Sequence, residues 1–251
     1  MPKSNQTIIN EAREYLDGLM LGDGHILYSN GSISATAYQQ SCKYKNWLDI
    51  ISKDLYEYGI INTVDNGKLR TGGKNAKDGS MTYRLWTNNY IEFKEMHDRW
   101  YKKDYNVDEY PTTRWHLDER SGEYYAWKKI VPKDICLSPA CVANWYLGDG
   151  TVSQKKDYSK LFKKLYNNGY QLIISTDDFI RKDTIFLADL LSEVLGISCG
   201  VQKNGRIGIY SKTGISIFLN YIRNYKIDCY SKKFPDNLLG ELYLPHESVR
   251  R

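Results

Sequence analysis

Apolar and polar positions along the chain fall into alternating helical and strand-like rhythms, and the order of those rhythms occurs twice. Residues 16–26, LDGLMLGDGHI, and residues 142–152, VANWYLGDGTV, are apolar helical stretches that end in Leu-Gly-Asp-Gly and pass into a strand-like segment. Residues 52–60, SKDLYEYGI, and 189–197, DLLSEVLGI, are amphipathic helices, each stopped by a glycine with isoleucine next. Gly59 and Gly196 stand where a helix C-cap favours glycine. Hairpin signals follow at 64–70, VDNGKLR, and 201–210, VQKNGRIGIY. A strand ending at Thr87 or Ser211 then enters a further helix, at 89–96 or 214–222, and Lys129-Ile-Val-Pro and Lys233-Phe-Pro close the two runs. Six features in one order describe an internal repeat: two halves, each helix–hairpin–helix–hairpin–helix.

The halves differ in detail. The first carries a polar loop, TGGKNAKDGS at 71–80, and a charged connection from about 101 to 127 that holds Pro111. The second inserts a lysine-rich stretch, SQKKDYSKLFKKLYNNG, after its first helix. The expected division is a first half over 1–110, a linker and the end of that half over 111–137 (including Lys129), and a second half over 138–251.

Composition narrows the class. Apolar residues make up 41% and charged residues 26% of the 251, values of an ordinary globular protein, and the net charge of +5 is compatible with a nucleic acid partner. Cys42, Cys136, Cys141, Cys199 and Cys229 form no CxxC pair and are odd in number, which reads as buried thiols in a reducing compartment. The four histidines lack metal-ligand spacing, so no zinc site is indicated. No apolar run reaches membrane-span length and MPKSNQTIIN has no apolar signal core, so an intracellular protein without a membrane partner is expected.

The chemistry lies at the repeated helix ends. A helix that ends in aspartate places negative charge where the helix dipole is already negative, and this chain does so at Asp23 and Asp149. If the two helices pack side by side, the carboxylates meet and one pKa rises unless a cation neutralises them. Hard oxygen ligands suit Mg²⁺, and two carboxylates on shared ions suit phosphodiester hydrolysis. Gly18, Gly22, Ala143 and Gly148 would allow close approach. A lone Asp-Gly is more often a plain helix-to-strand turn; the matched pair inside a repeat argues against that.

Residues 16–24 and 142–150 resemble the two copies of the LAGLIDADG motif, in the variant where the first acidic position is leucine. The resemblance runs over nearly the whole chain. The stretch 137–150, LSPACVANWYLGDG, and the pattern from 172 to 222 are similar to the single-chain mitochondrial intron endonucleases of the omega type. It implies an α+β fold of two pseudo-symmetric halves, with antiparallel hairpins forming a DNA-binding saddle and helices packed behind. It implies a metal-dependent double-strand cut at one long, non-palindromic site by a monomer. Mg²⁺ would be the cofactor, with Mn²⁺ able to substitute and Ca²⁺ binding without cleavage. Asp23 and Asp149 would hold the metals with the carbonyls of Gly22 and Gly148, and Lys129 and Lys233 would sit near the scissile phosphates. Asp17, Asn144 and Trp145 are bulkier than the family's small residues, which predicts a wider or differently tilted helix interface, and Gln40 has no clear match in the second half. Alternatives that keep the fold are an intron maturase with RNA as partner and a catalytically inactive DNA-binding relative. Mitochondrial, other organellar, bacterial and phage origins are all compatible with the sequence.

DNA contacts are expected on the hairpins. In SISATAYQQ at 32–40, Ser32, Ser34, Thr36, Tyr38 and Gln40 share one parity and Ile33, Ala35 and Ala37 the other. A solvated strand would alternate in the same way. Lys68, Arg70 and Arg84 in the first half, and Arg206 and Tyr210 in the second, supply further candidates, arginine suiting guanine and glutamine adenine. Lys155, Lys156, Lys163 and Lys164 suit phosphates, which give affinity without sequence information.

Overall fold

A computed structural model describes residues 5–28, 36–64, 70–74, 81–159 and 164–239; for 5–9, 70–74, 113, 155–159 and 164–168 it describes the backbone alone. The first half runs α1 (Asn5–Leu21), β1 (His25–Tyr28), β2 (Thr36–Cys42), α2 (Lys45–Glu57), β3 (Arg70–Lys74), β4 (Met81–Trp86) and α3 (Ile91–Trp100). The second runs α4 (Pro139–Asp149), β8 (Gly150–Ser159), β9 (Lys164–Ile174), α5 (Arg181–Leu195), β10 (Gly200–Val201), β11 (Ile207–Ile209) and α6 (Lys212–Tyr221). Each half builds one antiparallel four-stranded sheet, in the orders β1-β2-β4-β3 and β8-β9-β11-β10, so the repeat in sequence is a repeat in topology.

Local chemistry explains the boundaries. Ser138 caps α4 by accepting from the Cys141 N–H at 3.4 Å, and Pro139, which has no N–H to leave unpaired, opens the helix. Gly59 and Gly196 turn the chain out of α2 and α5 in the left-handed region, at φ 71° and 64°. Cys141 through Leu147 are all buried, as are Tyr15 through Leu21, so the two motif helices are enclosed on every side. They lie at the centre of one core that joins the halves.

Three sequence expectations change. Residues 101–129 are not an open linker: β5 (Tyr101–Asp104), β6 (His116–Leu117) and β7 (Tyr124–Lys129) form a third sheet in the order β5-β7-β6. It is pinned by Asp118, which accepts from Lys103 Nζ at 2.5 Å, Tyr105 Oη at 2.8 Å and the Arg120 N–H at 3.1 Å. Those hydrogen bonds hold the Asp118 carboxyl down at about 2. His97 anchors the sheet to the first half, stacked between Tyr28 and Tyr101 at 4.9 and 4.8 Å. Second, TGGK, read as part of a polar loop, lies on β3 and pairs with β4. Third, the lysine-rich insertion continues a long hairpin: β8 and β9 pair from Gly150↔Ile174 out to Ser159↔Lys164. The thiols are free, but only Cys42 and Cys141 are buried; Cys199 and Cys229 are half-buried and Cys136 is exposed.

The interface between α1 and α4 is close, not wide. A Cβ on Gly18 would fall on the backbone of Cys141, 2.7 Å from its Cα, and 2.9 Å from the Asn144 Cβ. Gly18 and Asn144 occupy the same place in their motifs, so the missing side chain on one helix makes room for the bulkier one on the other. Asp17 turns away toward α3, where Arg99 Nη2 and Trp100 Nε1 donate to it at 3.0 and 2.8 Å. Gly18→Ala is therefore expected to destabilise the protein by about 1–3 kcal/mol, the usual cost of overpacking. A Cβ at Gly22 would meet its nearest atom at an ordinary 3.5 Å, so Gly22→Ala is expected to leave the denaturation midpoint nearly unchanged. Paired denaturant titrations check the contrast.

Candidate active site

The two motif helices end where Gly22 faces Gly148: a Cβ on Gly148 would lie 3.2 Å from both the Gly22 Cα and the Asp23 nitrogen. Nothing larger than hydrogen stands between the chains there. The residues that follow, Asp23 and Asp149, are brought side by side, Asp23 exposed and Asp149 half-buried.

Two lysines close the site from opposite ends. Lys129, last residue of β7, donates to the carbonyls of Gly22 at 3.4 Å and Gly24 at 3.1 Å. Lys233, at the end of a short 3₁₀ segment (Asp228–Lys233), donates to the carbonyls of Tyr146, Leu147 and Gly148 at 3.0, 2.8 and 3.4 Å. Each ammonium thus caps the exposed carbonyls of one motif helix, where the dipole favours a cation. Tyr146 Oη donates back to the Lys233 carbonyl at 2.6 Å, fixing that backbone.

The electrostatics follow from crowding. Burial, then the charge of Asp23 and that of Asp178, push the Asp149 carboxyl up to about 7 against the pull of Lys129 and Lys233. Asp23, although part of it meets solvent, is raised by the protein packed around its carboxyl, opposed by Lys233 and Lys129. Burial lowers both ammoniums to about 8, the carboxylates opposing the shift. The cluster is short of positive charge and offers carboxylate and carbonyl oxygens only. That donor set fits a hard divalent ion completed by water and phosphate oxygens. Among the described residues no three His, Cys, Asp or Glu side chains form a ready metal cage, so such an ion would rest on Asp23, Asp149 and the Gly22 and Gly148 carbonyls.

The predicted DNA-contacting residues divide. Thr36, Tyr38 and Gln40 are buried at 0%, 0% and 1% exposure and cannot meet a ligand. β2 is an inner strand covered on both faces: Thr36 Oγ1 donates to the Tyr90 carbonyl at 3.1 Å, Tyr38 stacks on Phe93 at 6.0 Å, and Tyr38 Oη donates to Gln40. The alternation in sequence was real, but the polar parity fills the space behind the motif turn. The opposite face carries a cross-strand ladder: His25 Nε2 lies 2.9 Å from the Gln39 amide, whose oxygen, with the amide turned to satisfy both neighbours, accepts from Arg84 Nε at 2.8 Å. Arg84 Nε also reaches Ser41 Oγ at 3.3 Å. Arg84 thus shares this face with His25, Gln39 and Ser41, which were not selected from the sequence.

In the second half Arg206 is exposed and ion-paired with Asp177 at 3.0 Å, and the exposed Tyr210 hydroxyl accepts from Gln202 Nε2 at 2.7 Å. Arg70, Lys155, Lys156 and Lys164 lie on strands whose side chains are outside the described set, and Ser32, Ser34, Lys68 and Lys163 lie outside the described residues. A cleft of about 520 Å³ opens beside Asp23 and Lys233, with Lys43, Lys232, Cys42 and Tyr230 on its walls. Lys43 and Lys232 are further cations suited to a phosphate path.

The profile of the LAGLIDADG DNA endonuclease family matches residues 13–218. The chain belongs to that family. The match spans both Gly-Asp-Gly helix ends and the two sheets. A solved structure described as the homing endonuclease I-WcaI bound to its DNA recognition sequence is similar, with a TM-score of 0.62 and 17% identity over 89% of this chain and 85% of that one. The meganuclease I-AabMI bound to uncleaved DNA is similar with a TM-score of 0.52 and 12% identity over 90% and 88%. An uncharacterised protein of Methanocaldococcus jannaschii, MJ1098, is 24% identical over 196 residues; the match covers 78% of this chain and 61% of that relative. These structural likenesses establish the fold: small antiparallel sheets with helices packed against them.

Replacing Asp149 tests the strain of the carboxylate pair without any substrate. A carboxyl raised from its ordinary value to about 7 makes the folded state bind the extra proton, so its contribution to stability is present below about pH 4 and lost as pH rises through 7. Asp149→Asn is therefore expected to raise the melting temperature of the metal-free protein above pH 7 and to match the parent near pH 4. Melting curves in a chelator across that range check it.

Proposed function

We propose that the protein is a site-specific, divalent-metal-dependent endonuclease that cuts both strands of one long DNA target. The observation that supports it most strongly is the pairing of Asp23 with Asp149 at the point where Gly22 and Gly148 let two buried helices touch. Bound there, Mg²⁺ or Mn²⁺ would supply a Lewis acid that lowers the pKa of water and neutralises a departing oxygen, while Ca²⁺ would bind without supporting the cut. The protein's own part is to position charge. Asp23 and Asp149 share the centre, so both scissile phosphates would be served from one cluster. Lys129 and Lys233 present ammonium charge at its two ends, where the extra negative charge of a five-coordinate phosphorus develops. Arg84, His25 and Ser41 in one half, with the buried Gln39 amide orienting the first two, and Arg206 and Tyr210 in the other, stand on the surface to meet bases. The lysines of the β8–β9 hairpin suit phosphates, giving affinity that falls with salt.

One chain carries both halves in one core, so we assign a monomer acting on a non-palindromic site. Sedimentation of the complex should give one chain per duplex, and two chains would contradict the assignment. Selection of cut ends from a randomised duplex library in Mg²⁺ identifies the target. On that target, Asp23→Asn or Asp149→Asn is expected to slow double-strand cleavage at least about 100-fold, the scale for losing one group that stabilises transition-state charge. Affinity in chelator should change little. Cleavage at the parent rate by either variant would place the active centre elsewhere.

A further inference from the structure

Two arginines occupy matching places in the two sheets. His25 and Thr151 each stand two residues beyond a motif acid, and they pair with Gln39 and Ile173. One residue further along, Gln40 pairs with Leu85 and Ile174 with Ile207. The residues just before Leu85 and Ile207 are Arg84 and Arg206. The repeat therefore sets one arginine in each half the same number of strand positions from Asp23 or Asp149.

The two are held by different partners. Arg84 donates from Nε to the Gln39 amide oxygen at 2.8 Å and to Ser41 Oγ at 3.3 Å, with Nη1 3.3 Å from the same amide oxygen. Gln39 is 6% exposed, and its amide nitrogen donates to His25 Nε2 at 2.9 Å. Buried and engaged at both ends, it supports rather than reads. Ser41 lines the cleft that opens beside Asp23, which places this arrangement next to the acids. In the second half Ile173 stands at the place of Gln39 and has no group to offer. Asp177 supplies one from the following turn: Arg206 Nε and Nη2 donate to its carboxylate at 3.3 and 3.0 Å. That turn is tied to the other acid, because the Ser175 N–H donates to the Asp149 carbonyl at 3.1 Å. In both halves a partner holds the Nε side of the guanidinium. The Nη groups keep further N–H donors for the two acceptors that guanine shows in the major groove, O6 and N7.

We propose that Arg84 and Arg206 read guanines at mirror-related positions on the two sides of the cut, one on each strand, with Gln39 and Asp177 as the positioning residues that aim them. The otherwise non-palindromic target then keeps one symmetric pair of guanines. This rests on the endonuclease reading.

The test uses the duplex recovered from the randomised library and its single-base-pair changes, with binding measured in chelator and the cut mapped in Mg²⁺. Guanine is expected to be preferred about 10- to 100-fold at two base pairs equally far from the midpoint of the cut, the range of one bidentate contact each. Arg84→Ala should abolish the preference at one of them and Arg206→Ala at the other. Gln39→Leu should cost about 10-fold of the preference at the Arg84 base pair, the scale of one hydrogen bond to a charged group. It should cost nothing more once Arg84→Ala is present, because the two act as one unit. Gln39→Glu keeps an acceptor for Arg84, as Asp177 does for Arg206, and should restore the preference. Asp177→Ala should relax the Arg206 base pair alone, and this exposed position carries the test if Gln39→Leu does not fold. Arginine-dependent base pairs that are not mirror-related, a preferred base other than guanine, or parent preference in a folded Gln39→Leu or in Asp177→Ala would overturn the proposal. Loss of preference at many base pairs in Gln39→Leu, unrestored by Gln39→Glu, would reduce Gln39 to a structural residue and overturn it as well. Failure of the parent protein to select any cut site would instead overturn the endonuclease reading, and this inference with it.

Discussion

The contact between Gly22 and Gly148 is the constraint on which the rest depends. Two buried helices can end this close only where a side chain is missing, and the chain meets that condition with Gly148, whose Cβ would lie 3.2 Å from the Gly22 Cα and the Asp23 nitrogen. Four residues earlier it meets it differently, with Gly18 receiving Asn144. Close packing then forces two carboxylates together at the negative ends of two helix dipoles, an arrangement that opposes stability. Polar groups so placed are retained where a site needs them rather than where a fold does.

The lysines show how the chain tolerates that arrangement. Lys129 and Lys233 come from the far end of each half, one ending β7 and the other following α6, and each returns to cap the carbonyls of one motif helix. Each is fixed by several carbonyls rather than by a carboxylate partner, which leaves the acids available. An ammonium held in this way is a fixed charge on a short tether, and its burial brings its pKa down to about 8, close to neutrality.

The repeat was legible in sequence because it is built from local signals: glycine caps at 59 and 196, Asp-Gly helix ends, and proline after the closing lysines. The pairing of Asp23 with Asp149 followed from superposing the two runs, and the placing of Lys129 and Lys233 beside it from the family resemblance. The strand parity of 36–40 was not legible, because β2 is an inner strand covered on both faces and alternation cannot say which face lies toward the helices. The third sheet at 101–129 escaped because its strands are as short as two residues and its order depends on a polar hub at Asp118.

The central claim is that the helix contact creates one divalent-ion centre shared by both halves. Anomalous difference maps from crystals soaked in Mn²⁺ test it most directly. The account predicts density between Asp23 and Asp149, lost in Asp149→Asn. Ions bound only elsewhere on the protein, or density unaffected by that substitution, would contradict it.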